Sequence, residues 1–186
     1  MRNDRKTAVV LIGHGAPATD CPPRLVGELM SLEWRGNSPE AHGARVKELD
    51  AKIRDWPRHS GNDPYKVGLE RLAAELRNLL PMHLFTVGYN EFCRPAVPEA
   101  VEEMIRQGAD RVFVIPSMLT PGGVHSEIDI PRSLKEVSAR HPGVSIEYVW
   151  PFDVKQVAEL LAAHLGQAFR KLLLPEPSSN PLADDR

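Results

Sequence analysis

The sequence predicts an α/β fold, a small parallel β-sheet flanked by helices, with its active edge at the carboxyl ends of the strands. Three observations lead there. Short apolar runs rich in β-branched residues recur along the chain. Helical patterns separate them, as βαβ crossovers require. Each run also stops at glycine, proline or a turn, where a parallel strand hands over to a loop.

The first run, Ala8 to Ile12, is apolar on both faces and ends at Gly13-His14-Gly15-Ala16-Pro17, as a buried central strand would. Leu84 to Val87 runs into Gly88-Tyr89-Asn90-Glu91, and Val112 to Ile115 runs into Pro116 and a long loop reaching Asp129. Val144 to Val149 alternates more and stops at Pro151, which predicts a strand nearer the sheet edge.

The helices read from their apolar stripes. Val46, Leu49, Ile53 and Trp56 share one face, which places Trp56 in a core; Trp34 reads equally as core or as part of a lid. Asp63-Pro64 is an N-cap followed by a first-turn proline, ahead of a stripe of Leu69, Leu72, Leu76 and Leu79. Val97, Val101, Met104 and Ile105 form the next helix, closed by Gly108. Pro131 opens a helix carrying Leu134 and Val137, and Asp153 caps a last one with Val157, Leu160, Leu161, Leu165 and Phe169 facing inward. The expected organisation is one α/β domain over 1–170, with a helical insertion over about 21–63 lying across the carboxyl edge as a lid. A disordered tail over 171–186 follows, with prolines at 175, 177 and 181.

Composition narrows the function. The 186 residues carry 23 Lys+Arg against 25 Asp+Glu, a formal net charge of −2, which argues against nucleic acid or an anionic membrane as the main partner. No apolar run approaches the roughly 18 residues of a membrane helix, and no secretory leader is visible. Cys21 and Cys93 form no CxxC pair; both read as structural thiols in a reducing, cytoplasmic setting.

Ligands of open parallel sheets bind beyond the carboxyl ends of the strands, which singles out His14, Glu91 and His125. Two imidazoles and a carboxylate at one edge can hold a divalent metal or move protons. Gly13, Gly15, Gly122 and Gly123 permit tight turns and close approach of a flat ligand. His42, His59 and His141 read as solvated, His83 lies at the opposite edge, and His164 reads as packed at a core edge. Gly13-x-Gly15-x-x-Ala18 formally matches a dinucleotide fingerprint, but Pro17 obstructs the helix that motif needs. There is no GxxxxGK[ST] phosphate loop and no GxSxG elbow. A histidine phosphatase would need an arginine where Gly13 stands.

Taken together, three segments resemble the class II tetrapyrrole chelatases, most closely sirohydrochlorin chelatases of the CbiX and SirB type. They are Val10-Leu11-Ile12-Gly13-His14-Gly15, then Glu91-Phe92-Cys93-Arg94-Pro95, and finally Val112 to Pro116 with Gly123-Val124-His125 and Asp129-Ile130-Pro131. The resemblance covers residues 8–16 and about 84–170. It implies a chelatase-like domain, half of a flavodoxin-like architecture, that pairs as a homodimer. It also implies ATP-independent insertion of Co²⁺ or Fe²⁺, with Ni²⁺ a further candidate, into sirohydrochlorin for cobalamin or sirohaem synthesis. His14, His125 and Glu91 would be metal ligands and bases, with no nucleotide cofactor. Gly15, Gly122, Gly123, Arg94 and Arg132 would contact the tetrapyrrole, the arginines through its carboxylates; Arg24 is a third such arginine. Three other readings of the same residues are a non-catalytic metal or tetrapyrrole carrier, a ferrochelatase for another porphyrin, and a phosphate-handling enzyme using His14 as nucleophile.

Overall fold

A computed structural model describes residues 6–34, 40–80 and 84–173 of the chain. Its sheet has the order β2-β1-β3-β4, all parallel, formed by β1 (Thr7–Gly13), β2 (Leu84–Tyr89), β3 (Arg111–Pro116) and β4 (Ser145–Tyr148). Strand β1 is central: Val10 aligns with Thr86 on one side and Val114 on the other. Its both-sided apolar character follows, because successive side chains point to opposite faces. Ala8, Val10 and Ile12 enter one core layer with Val97, Val101, Met104, Leu134 and Val137, while Leu11 enters another with Leu69 and Ala73. β4 lies at the edge, where alternating exposure replaces full burial.

The first layer is closed by α4 (Val97–Arg106) and α5 (Ile130–Arg140), the second by α3 (Pro64–Leu79). Asp63 caps α3 by accepting the Lys66 amide at 2.9 Å, ahead of Pro64. The expected α3 stripe is corrected: Leu69 and Ala73 are buried, whereas Leu72 and Leu79 are 51% and 78% exposed. At 100° per residue these two leucines fall about 60–80° round the helix from Leu69, on the flank of the buried face.

A second correction concerns the segment after β3. The expected loop to Asp129 ends sooner: a π-turn over His125–Asp129 leads directly into α5. The Ile130 amide donates to the His125 carbonyl, which widens the helix just where Pro131 has no N–H to offer.

The insertion contains α1 (Pro23–Trp34) and α2 (Glu40–Arg54). Leu25, Leu29, Leu49 and Ile53 pack with Phe92, so its core is continuous with the loop that follows β2; Trp56 packs beside it and donates its indole N–H to Asp20 at 3.0 Å. The side chain of Trp34 lies outside the described residues, as do residues 81–83 with His83, and the side chain of His42.

The chain divides into two compact units, Met1–Trp150 and Pro151–Arg186, where one domain to residue 170 was expected. The second contains α6 (Val154–Leu173), where the Asp153 carboxylate accepts the Lys155 amide at 2.8 Å. The inward face expected there is corrected: Leu160, Leu161, Leu165 and Phe169 are 55–59% exposed, and His164 is exposed too. A single helix can bury an apolar stripe only against another surface. The tail expected from residue 171 falls, from 174 onward, outside the described residues. Among the described residues, no helix is long and apolar enough to cross a membrane.

Candidate metal centre at the carboxyl edge of the sheet

His14 follows β1, Glu91 follows β2, and His125 opens the π-turn beyond β3. Because β1 lies between β2 and β3, parallel pairing delivers all three loops to one edge. One nitrogen or oxygen from each residue lies within 4.8 Å of the other two. His14 Nε2 is 4.0 Å from Glu91 Oε2, and His125 Nε2 is 3.7 Å from Glu91 Oε1. The imidazoles meet edge to face, with centroids 4.7 Å apart. In a tetrahedral site with bonds near 2 Å, donors stand about 3.3 Å apart, so closing on an ion takes side-chain shifts of about 1 Å or less.

The hydrogen bonds around both rings select the same tautomer. His14 Nδ1 lies 2.8 Å from the Gly15 carbonyl, which can only accept, so in the neutral ring Nδ1 carries the proton and the lone pair sits on Nε2. His125 Nδ1 lies 2.9 Å from Asp129 Oδ2 and 2.8 Å from the Asn90 side-chain amide. Donation to the carboxylate is the stronger bond, and the Asn90 amide then turns its oxygen to the ring. Each Nε2 lies within 4.0 Å of a Glu91 oxygen, and a carbonyl or carboxylate behind the imidazole is an arrangement typical of metal ligands. Three protein donors on a part-exposed site leave coordination positions open for an incoming molecule.

The supporting loops interlock. The amides of Asn90 and Glu91 donate to the carbonyls of Gly13 and His14 at 2.9 and 2.8 Å, and the His14 amide donates to the Tyr65 hydroxyl at 2.7 Å. Gly15 has φ +92°, and a Cβ there would stand 1.9 Å from the Glu91 carbonyl oxygen. Its glycine is therefore demanded by the contact between the two loops.

The other sequence-predicted residues are dispersed. Arg94 is engaged by Asp55 at 2.5 Å and by Glu99. Arg132 donates to Asp129 Oδ1 at 2.7 Å and is 66% exposed. Gly122 and Gly123 are exposed, with open space about both. Sequence reasoning missed Asp129 as the partner of His125, although its four-residue spacing on a helical turn was a usable signal. It also missed Asn90 and the Tyr65 hydroxyl, whose approach depends on tertiary packing. Partial desolvation raises the Glu33 carboxyl above its ordinary value, and the negative charges of Glu91 and Asp50 add to it.

The chain is also similar to known proteins. Curated relatives include a sirohydrochlorin cobaltochelatase of Methanocaldococcus jannaschii, 40% identical over 86 residues, covering 45% of this chain and 58% of the relative. A sirohydrochlorin ferrochelatase of Priestia megaterium is 28% identical over 127 residues, covering 68% of this chain and 41% of the relative. The chain thus spans about half the length of these relatives. Among solved structures, a putative cobalamin biosynthesis CbiX protein from Marinobacter aquaeolei VT8 superposes with a TM-score of 0.57 at 15% identity. It covers 91% of this chain and 100% of its own, which supports the fold. The sequence profile of CbiX matches residues 60–168, a stretch holding Glu91, His125 and three of the four strands, and the chain belongs to the CbiX family.

Proposed function

We propose that this chain inserts a divalent metal, Co²⁺ or Fe²⁺, into sirohydrochlorin or a closely related tetrapyrrole without a nucleotide. The observation that carries it is the convergence of His14, Glu91 and His125 from three strand ends, with both Nε2 atoms within 4.0 Å of the shared carboxylate. As M²⁺ enters the ring, two pyrrole N–H protons must leave. Donors that release the metal as the ring nitrogens take it become free to accept those protons. The relatives named for cobalt and iron insertion support these two metals. Ni²⁺ suits the same donor set.

The surroundings of the site fit a large flat guest. Val124 and Ile128 flank His125 in sequence and are 60% and 55% exposed, an apolar rim on an otherwise polar edge. Gly122 and Gly123 leave the backbone open to a planar ring, and Gly15 belongs to the same edge. Arg132 is the better placed of the predicted arginines to meet a substrate carboxylate, because Arg94 already holds two protein carboxylates. The proposal includes a cytoplasmic homodimer. The exposed face of α6, Leu160, Leu161, Leu165 and Phe169, offers apolar area that a second copy would cover.

The test is anaerobic absorption spectroscopy with sirohydrochlorin and Co²⁺, Fe²⁺ or Ni²⁺ against a protein-free control, with light scattering to count protomers. The expected result is accelerated metallation that falls about 100-fold or more in His14→Ala and in His125→Ala. Full rates in both variants would refute the reading. A spectral shift on binding without acceleration would instead identify a carrier.

A further inference from the structure

The end of α2 and the segment that joins it to α3 send two part-buried arginines to the loop carrying Glu91. Arg54, the last residue of α2, donates from Nη2 to the Asn90 carbonyl at 2.8 Å and from Nη1 to the Cys93 carbonyl at 2.9 Å. Its Nε is held by Asp50 one helical turn back, at 2.8 Å. Arg58 donates from Nη2 to the Phe92 carbonyl at 2.5 Å and from Nη1 to the Ala16 carbonyl at 3.0 Å, and it is ion-paired with Asp63. The two side chains are only 11% and 7% exposed.

Carbonyls on both sides of Glu91 are thus anchored by guanidinium groups, and Ala16, two residues after His14, is tied into the same brace. Within the loop, Phe92 adopts φ +57°, a conformation that a phenylalanine holds only when its surroundings impose it. Guanidinium suits this task because its rigid planar fork sets two carbonyls at a fixed spacing, whereas an ammonium's donors all radiate from one freely rotating atom. Both arginines precede the segment matched by the family profile, which begins at residue 60.

We propose that Arg54 and Arg58 are positioning residues that hold the peptide planes around Glu91, so that its carboxylate faces His14 and His125 and completes the metal site. The insertion's contribution to function is then this brace, in place of the lid read from sequence. The inference rests on the three-residue site being a metal centre.

The decisive experiment uses the full chain and Co²⁺ alone, whose visible absorption reports its ligand set. Arg54→Met is the lead variant, because its carboxylate partner Asp50 is part-exposed and is not left stranded in a core. The expected result is Co²⁺ binding weakened about 10–100-fold, with a spectrum shifted toward that of Glu91→Ala. Adding Arg54→Met to Glu91→Ala should weaken binding little further, since the arginine acts through the carboxylate. Arg58→Lys keeps a positive charge against Asp63 but loses the planar fork, and should weaken Co²⁺ binding in the same direction while staying folded. A folded Arg54→Met or Arg58→Lys with wild-type affinity and spectrum overturns the proposal, as does full additivity of Arg54→Met with Glu91→Ala. If wild-type protein shows no Co²⁺ binding that His14→Ala and His125→Ala abolish, the metal-centre reading itself fails and takes the brace with it.

Discussion

The loops after β2 and β3 each deliver one side chain to the same site, yet they are built in opposite ways. The β2 loop is interior: Phe92 and Cys93 are 7% and 0% exposed, and its carbonyls are satisfied by side chains from 34 to 39 residues away in sequence. The β3 loop is exterior at Gly122, Gly123 and Val124, and its histidine is oriented by Asp129 four residues on. The first obtains its geometry from tertiary packing and the second from local helical spacing. The proposed metal centre, which joins these two donors to His14, couples the insertion to a short sequence motif, so damage to either loop should read out differently.

The largest effect is expected where the packed loop meets the turn after β1. Gly15→Ala forces a left-handed conformation on alanine and drives its Cβ against the Glu91 carbonyl, a backbone atom that cannot turn aside. The conformational cost is about 1–2 kcal/mol, and with the clash a loss of about 3 kcal/mol or more is expected by urea denaturation. A loss below about 1 kcal/mol would mean that the two loops separate easily and that the contrast drawn here is wrong.

Asp129→Asn probes the locally built loop. The side chain keeps its shape and can still accept from His125 Nδ1, but the carboxylate is gone, so the imidazole becomes a poorer ligand. Co²⁺ affinity should fall about 10–100-fold while stability changes by less than about 1 kcal/mol. Titration calorimetry beside thermal denaturation separates the two. A large stability loss with unchanged affinity would assign Asp129 to packing alone.

The smallest effect is expected at Tyr89, which closes β2 directly before Asn90. Its ring is 1% exposed, and its hydroxyl has no hydrogen-bond partner among the described residues. Tyr89→Phe should therefore change stability by no more than about 0.5 kcal/mol at pH 7, or raise it slightly. Burial, with Glu70 adding to it, pushes the phenol above its ordinary value. The stability that the neutral phenol contributes is fully present below the unfolded value near pH 10 and is lost as pH rises toward the folded one. Melting curves of the two proteins should coincide at pH 7 and diverge above about pH 10, with the wild type falling first. A variant about 1 kcal/mol weaker at pH 7 would show that the hydroxyl is satisfied after all.

The exposed faces of α3 and α6 illustrate where periodicity misleads. Leu72 and Leu79 continue the spacing of Leu69 and Leu76, but helical drift carries them off the buried arc. The α6 stripe is equally clean in sequence, yet its large apolar side chains are exposed, because amphipathicity states that a face wants cover without naming what covers it. Capping residues were more reliable: Asp63 ahead of Pro64 needs only its own turn to satisfy a helix start.

The sequence by itself determined the alternation of strands and helices, the sheet edge to which the strand-end loops lead, and that His14, Glu91 and His125 lie on those loops. Each of these depends on local propensity, on period, or on the rule that parallel strands all end on one side. Tertiary structure alone decided why Gly15 must be glycine and how Arg54 and Arg58 reach the carbonyls around Glu91. Those features are contacts between chain segments far apart in sequence. No pattern along one segment encodes the distance at which another will lie, because packing sets that distance.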